Sequence, residues 1–133
     1  MQDLVTMQVV EWDGPIVEIL FHSPIATAGD VARLLREART FMDETVVKTG
    51  RSKAFFLTCY DGFSVAREHA GELQQAFLEF NKQYSKGDVR YGGTIVARTL
   101  VIATAIRSES SSEHYGTREE ALLSLRQRIR AGR

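Results

Sequence analysis

The chain has one cysteine, no excess of either charge, no leader-like start and no long apolar run. Each shortfall sets a class of protein aside. With Cys59 alone no intrachain disulfide can form, and its place inside an apolar run suits a reducing compartment. Lys+Arg and Asp+Glu both number 17, so no global field draws the chain to nucleic acid or to an anionic membrane. Residues 1–10 lack a basic start and carry Asp3, so no secretory signal is expected. The longest apolar stretch, residues 94–106, is interrupted by Arg98 and falls short of a bilayer span. The expectation is a soluble, cytoplasmic chain with no nucleic-acid partner and no membrane insertion.

What is present is enough for one ordinary domain. A chain of 133 residues, 44% hydrophobic and 26% charged, can bury a sizeable core without staples and does not read as disordered. Residues 5–12 are rich in Val, Met and Trp, as a strand is. Asp13-Gly14-Pro15 follows as a hairpin turn, and residues 16–22 return as a second strand. Glu18 interrupts an otherwise apolar run there, so this strand should lie deep in the sheet. Thr27 and Asp30 make a capping-box-like start to a helix. Val31, Leu34, Leu35, Ala38, Phe41, Met42 and Val46 lie on its buried face, and Gly50 stops it.

Residues 53–60 (KAFFLTCY) read as a short buried strand ending in the turn Asp61-Gly62. Ser64 is placed to cap a second helix, along which Ala66, Leu73 and Phe80, and then Ala70, Phe77 and Tyr84, form an apolar seam. Residues 85–88 break that pattern, and residues 89–97 (VRYGGTIVA) read as the next strand. Gly92-Gly93 at its start suggests a bulge; no Lys-Ser or Lys-Thr follows, which excludes a P-loop. Residues 98–108 are ambiguous: β-branched side chains favour strand, whereas parallel topology asks for a helix. A polar loop, a very short strand at His114-Tyr115 and a helix opened by a full capping box of Thr117 and Glu120 close the chain. Ala121, Leu122, Leu125 and Ile129 form the buried stripe of that helix. The order β-β-α-β-α-β-α-β-α implies an α/β domain with a mostly parallel sheet, an N-terminal antiparallel hairpin and flanking helices.

Candidate chemistry is sparse. Cys59 is a nucleophile only if His22, His69 or His114 stands beside it; its place in AFFLTCY favours a buried structural thiol. The three His and one Cys have no metal-ligand spacing, and no cofactor is expected. Asp61, at the carboxyl end of a parallel strand, stands where open α/β sheets gather ligands, although Asp-Gly is also simple turn chemistry. Leu100, Val101, Ile102 and Ile106, wound as a helix, exceed what one sheet face covers. They point to a homodimer interface, the wall of an apolar pocket, or a fully buried strand.

Three stretches carry a resemblance: the hairpin followed by SPIATAGDVARLL, the strand and turn KAFFLTCYDGFSV, and the short strand and helix HYGTREEALLSL. Together they resemble the STAS superfamily, in particular bacterial domains like the sporulation anti-anti-sigma factor. The resemblance implies a STAS-like fold and a non-catalytic regulatory or interaction module that binds a protein partner. The alternative is a small apolar-ligand or lipid-binding domain. The regulatory branch carries a modified Ser or Thr in Asp-Ser-Ser/Thr-Gly where the second helix begins. The matching stretch here is Asp61, Gly62, Phe63 and Ser64, which lacks the adjacent hydroxyl and the following Gly. These four residues are the expected partner or ligand contact.

Overall fold

In the computed structural model, residues 4–93 and 114–132 are described. Strand β1 (Val5–Glu11) turns through Gly14, at φ 70, into β2 (Ile16–Phe21), the expected hairpin. Helix α1 (Ala28–Phe41) starts at the Thr27–Asp30 capping box, complete in both directions. It runs on as a wider turn over Met42–Val46 and a tight one over Val47–Thr49, until Gly50 at φ 91 ends it. Strand β3 (Ala54–Cys59), helix α2 (Ala70–Tyr84), strand β4 (Ser85–Tyr91), the short β5 (His114–Tyr115) and helix α3 (Arg118–Ala131) follow.

The five strands lie in the order β1-β2-β3-β4-β5. The first pair is antiparallel and the other three are parallel, which is the α/β architecture expected. Side chains alternate across the sheet. Val17, Phe21 and Phe56 meet α1 and α2 on one face, while Ile16, Leu57, Val89 and Tyr91 meet Ala121, Leu122 and Leu125 of α3 on the other. Burying each such large apolar side chain is worth about 1.5–3 kcal/mol, so both faces contribute to the fold.

Four expectations are corrected. Ser64 caps no helix: helical structure begins with a tight turn at Arg67–His69, and His69 precedes α2 without a side-chain cap. Ala66 therefore lies before the helix, and the buried seam is Leu73, Ala76, Phe80 and Tyr84. Strand β4 begins at Ser85, directly after α2, so Gly92 and Gly93 follow its end and do not open it. Thr117 caps α3 by accepting from the Glu120 N–H, but the Glu120 carboxylate engages the Thr117 hydroxyl at 3.1 Å, and no reciprocal bond to the Thr117 backbone forms. The segment 98–108, with Leu100, Val101, Ile102 and Ile106, lies outside the described residues. Among the described residues no helix is long and apolar enough to cross a membrane.

Candidate functional site

The carboxyl ends of the parallel strands gather two glycine turns. After β3, Gly62 sits at φ 78, and a Cβ there would stand 3.1 Å from the Phe21 carbonyl oxygen. After β4, Gly92 sits at φ 75, and a Cβ there would stand 2.6 Å from Asp61 Oδ1. That closeness has a purpose in the hydrogen bonding: the Gly93 N–H donates to Asp61 Oδ1 at 2.8 Å, so the carboxylate clasps the neighbouring turn.

The remainder of the loop is fastened on its other side. Phe63 turns inward, and its ring meets Phe21 and Tyr60 edge to face, both at 4.9 Å between centroids. The Ser64 carbonyl accepts from the Ile25 N–H at 2.8 Å, and the Ala66 N–H donates to the Ile25 carbonyl at 2.8 Å. Ile25 and Val65 thereby form a parallel bridge. Of the four expected contact residues, Phe63 is an anchor in the core, while Asp61, Gly62 and Ser64 are exposed.

The candidate catalytic groups do not assemble. Cys59 is buried, burial pushes its thiol above the ordinary value, and its side chain hydrogen-bonds with Tyr91. A thiol held protonated is a poor nucleophile. His22 meets the Thr6 hydroxyl, His69 pairs with Glu72 at 3.0 Å, and His114 Nε2 donates to the Gly92 carbonyl at 2.7 Å. Each imidazole thus has its own local partner. Among the described residues no group of His, Cys, Asp and Glu could hold a metal ion.

The interior holds two polar clusters that pattern reading passes over. On the α3 face, Glu18 accepts from Tyr91 Oη at 2.7 Å, Gln8 Nε2 at 3.0 Å and Arg118 Nε at 2.8 Å. Burial would raise the Glu18 pKa, but the bonds from Arg118, Tyr91 and Gln8 outweigh it and hold it below the ordinary value. The signal was visible in IVEILF, where Glu18 is the one charged residue. On the opposite face, Arg90 pairs with Asp88 at 2.8 Å, and Arg90 also hydrogen-bonds Tyr60. Desolvation pushes the Tyr60 phenol up to about 12.

Beside this pair, between the sheet and helices α1 and α2, is a cavity of about 60 Å³. Apolar side chains such as Ile19, Leu34 and Phe77 line it, with Thr58 and Arg90 at its polar end. Benzene occupies a cavity of about 150 Å³, so this one admits small groups and no lipid chain. No protein-family model, no curated protein and no solved structure matches the chain.

Proposed function

We propose that the chain is a non-catalytic regulatory or interaction module that binds a protein partner at the rim formed by Asp61, Gly62 and Ser64. One observation carries this reading: the loop is exposed at its tip yet fastened at Asp61, Phe63 and Ser64 to three different parts of the fold. A preorganised loop loses little conformational freedom on binding, which is how a small contact surface gains affinity. The resemblance to STAS domains, which work by contact, points the same way. The protonated, buried Cys59 and the imidazoles, each engaged with a separate local partner, support a contact role over a catalytic one. The cavity under α1 and α2 is too small for a lipid, and the apolar pocket of the alternative, beside residues 98–108, lies outside the described residues.

Ser64→Arg tests the proposal, because the exposed side chain can change while the backbone bond to Ile25 stays. A partner captured by the wild type from its own cells should be lost or strongly weakened with Ser64→Arg, at an unchanged melting temperature. Equal capture by both proteins, and by Asp61→Ala, removes the rim from the reading.

A further inference from the structure

Strand β1 is the outer strand of the sheet, and among the described residues no strand pairs with its free edge. The direction of its backbone groups follows from the register. The His22 N–H donates to the Leu4 carbonyl at 2.9 Å, and Val5 through Val9 pair with Phe21 through Val17. Hydrogen-bonded and non-bonded pairs alternate along an antiparallel ladder. The 4/22 bond therefore places the bonded positions at Thr6 and Gln8, and turns the backbone groups of Val5, Met7 and Val9 outward. Glu37 Oε1 accepts from the Val5 N–H at 3.3 Å, which caps one end. A bulge between Val9 and Glu11 marks the other.

Between these ends the edge carries none of the usual protection. Residues 5–10 read VTMQVV, with no charge and no proline. Natural edge strands are normally blunted by Lys, by Pro or by cover, because an open ladder templates pairing. Alongside the strand runs a groove of about 470 Å³, bounded by Val5 and Met7 on one side and by Arg36, Thr40 and Phe41 of α1 on the other.

We propose that a second copy of this chain fills this edge, joining two sheets through antiparallel β1–β1 pairing about a two-fold axis at Met7. Self-complementarity selects the occupant. In this register Val5 faces the partner's Val9, Thr6 faces the partner's Gln8, and Met7 faces the partner's Met7. Over residues 5–9 every side chain on the α1 face then meets an apolar one, and on the opposite face Thr6 and Gln8 meet each other. In the same arrangement the Met7 N–H and C=O exchange both bonds with the partner's Met7, and the Val9 N–H finds the partner's Val5 carbonyl. Shifting the axis to Gln8 would instead set Val5 opposite the partner's Glu11, across the bulge. The surface is separate from the Asp61–Ser64 rim, so it stands or falls independently of the function proposed above.

Cysteine trapping reads the register directly. In a Cys59→Ala background, Thr6→Cys mixed with Gln8→Cys places paired Cα atoms about 4.5 Å apart, within disulfide reach. Thr6→Cys alone leaves its two copies about 8 Å apart, beyond that reach. Oxidation should therefore cross-link the mixture and spare the single variant. Thr6→Lys combined with Gln8→Lys sets two pairs of ammonium groups face to face on solvent-exposed positions. Sedimentation should show a wild-type dimer in the micromolar range and a monomeric double variant with unchanged circular dichroism. A wild type that stays monomeric into the submillimolar range overturns the proposal. So does a dimer that survives both lysines, or cross-linking that ignores the pairing of Thr6 with Gln8.

Discussion

At the scale of single residues, the sheet holds its charges in two different ways. Glu18 is buried and takes hydrogen bonds from three side chains, one of them the guanidinium of Arg118. Glu11 and Arg126 form an ion pair too, but their side chains are 34% and 40% exposed. Removing a partner from a buried carboxylate costs about 1–3 kcal/mol, whereas exposed pairs are worth about 1 kcal/mol or less. Arg118→Ala should therefore lower the urea midpoint clearly, and Arg126→Ala should barely move it. Equal shifts would mean that water reaches Glu18 and replaces the guanidinium. Gly92 gives a second contrast at this scale. Gly92→Ala drives a Cβ into the Asp61 carboxylate and also strains a backbone at φ 75, so it should destabilise more than Gly71→Ala, whose Cβ meets nothing within 4 Å.

At the scale of elements, caps decide which helices were legible. Thr27 accepts from the Asp30 N–H at 3.1 Å, and Asp30 Oδ2 returns bonds to the N–H groups of Ala26 and Thr27. Thr27→Ala should cost about 1 kcal/mol in thermal or urea unfolding. Ser64→Ala should cost almost nothing, because Ser64 contributes its carbonyl and not its hydroxyl; comparable losses would restore Ser64 as a cap. The hairpin, α1, β3, β5 and α3 could be read because turn residues, capping side chains and apolar spacing agree in each. Strand β4 lies several residues earlier than apolar patterning places it, for a physical reason. Its inward positions Asp88 and Arg90 satisfy one another as an ion pair, so SKGDVRY lacks the apolar signature of a buried strand. Helix α2 starts later than a Ser64 cap implies because the Ile25–Val65 bridge, a contact across 40 positions of sequence, uses the backbone that would otherwise begin the helix. The rim was legible as a turn at a strand end, but its clasp by Gly93 and the inward Phe63 depend on neighbours that spacing alone does not reveal.

At the scale of the whole molecule, the buried carboxylate Glu18 and the buried phenols should set opposite ends of the pH–stability profile. Glu18, beneath α3, has a folded pKa below its ordinary 4.5, so the folded state binds its proton less tightly than the unfolded chain does. Its contribution is complete above that ordinary value and is lost as pH falls through the lower, folded one. Tyr60, beneath α1 and α2, titrates in the other sense. Its phenol is raised from 10 to about 12, so the folded state keeps a proton that the unfolded chain gives up. Its contribution is intact below pH 10 and disappears as pH rises toward 12, a loss of about 2–3 kcal/mol. Burial also raises Tyr84 and Tyr91, so the alkaline limb is shared among three phenols. Urea unfolding at stepped pH separates the carboxylate from the phenols. Tyr60→Phe should flatten part of the alkaline limb and leave the acid limb as it was, while Glu18→Gln should flatten the acid limb and also ease the alkaline one, because Glu18 helps to raise the Tyr91 phenol. A Tyr60→Phe protein that loses stability between pH 10 and 12 as steeply as the wild type would show that the phenol is open to water, and that the α1–α2 layer does not seal the Asp88–Arg90 face.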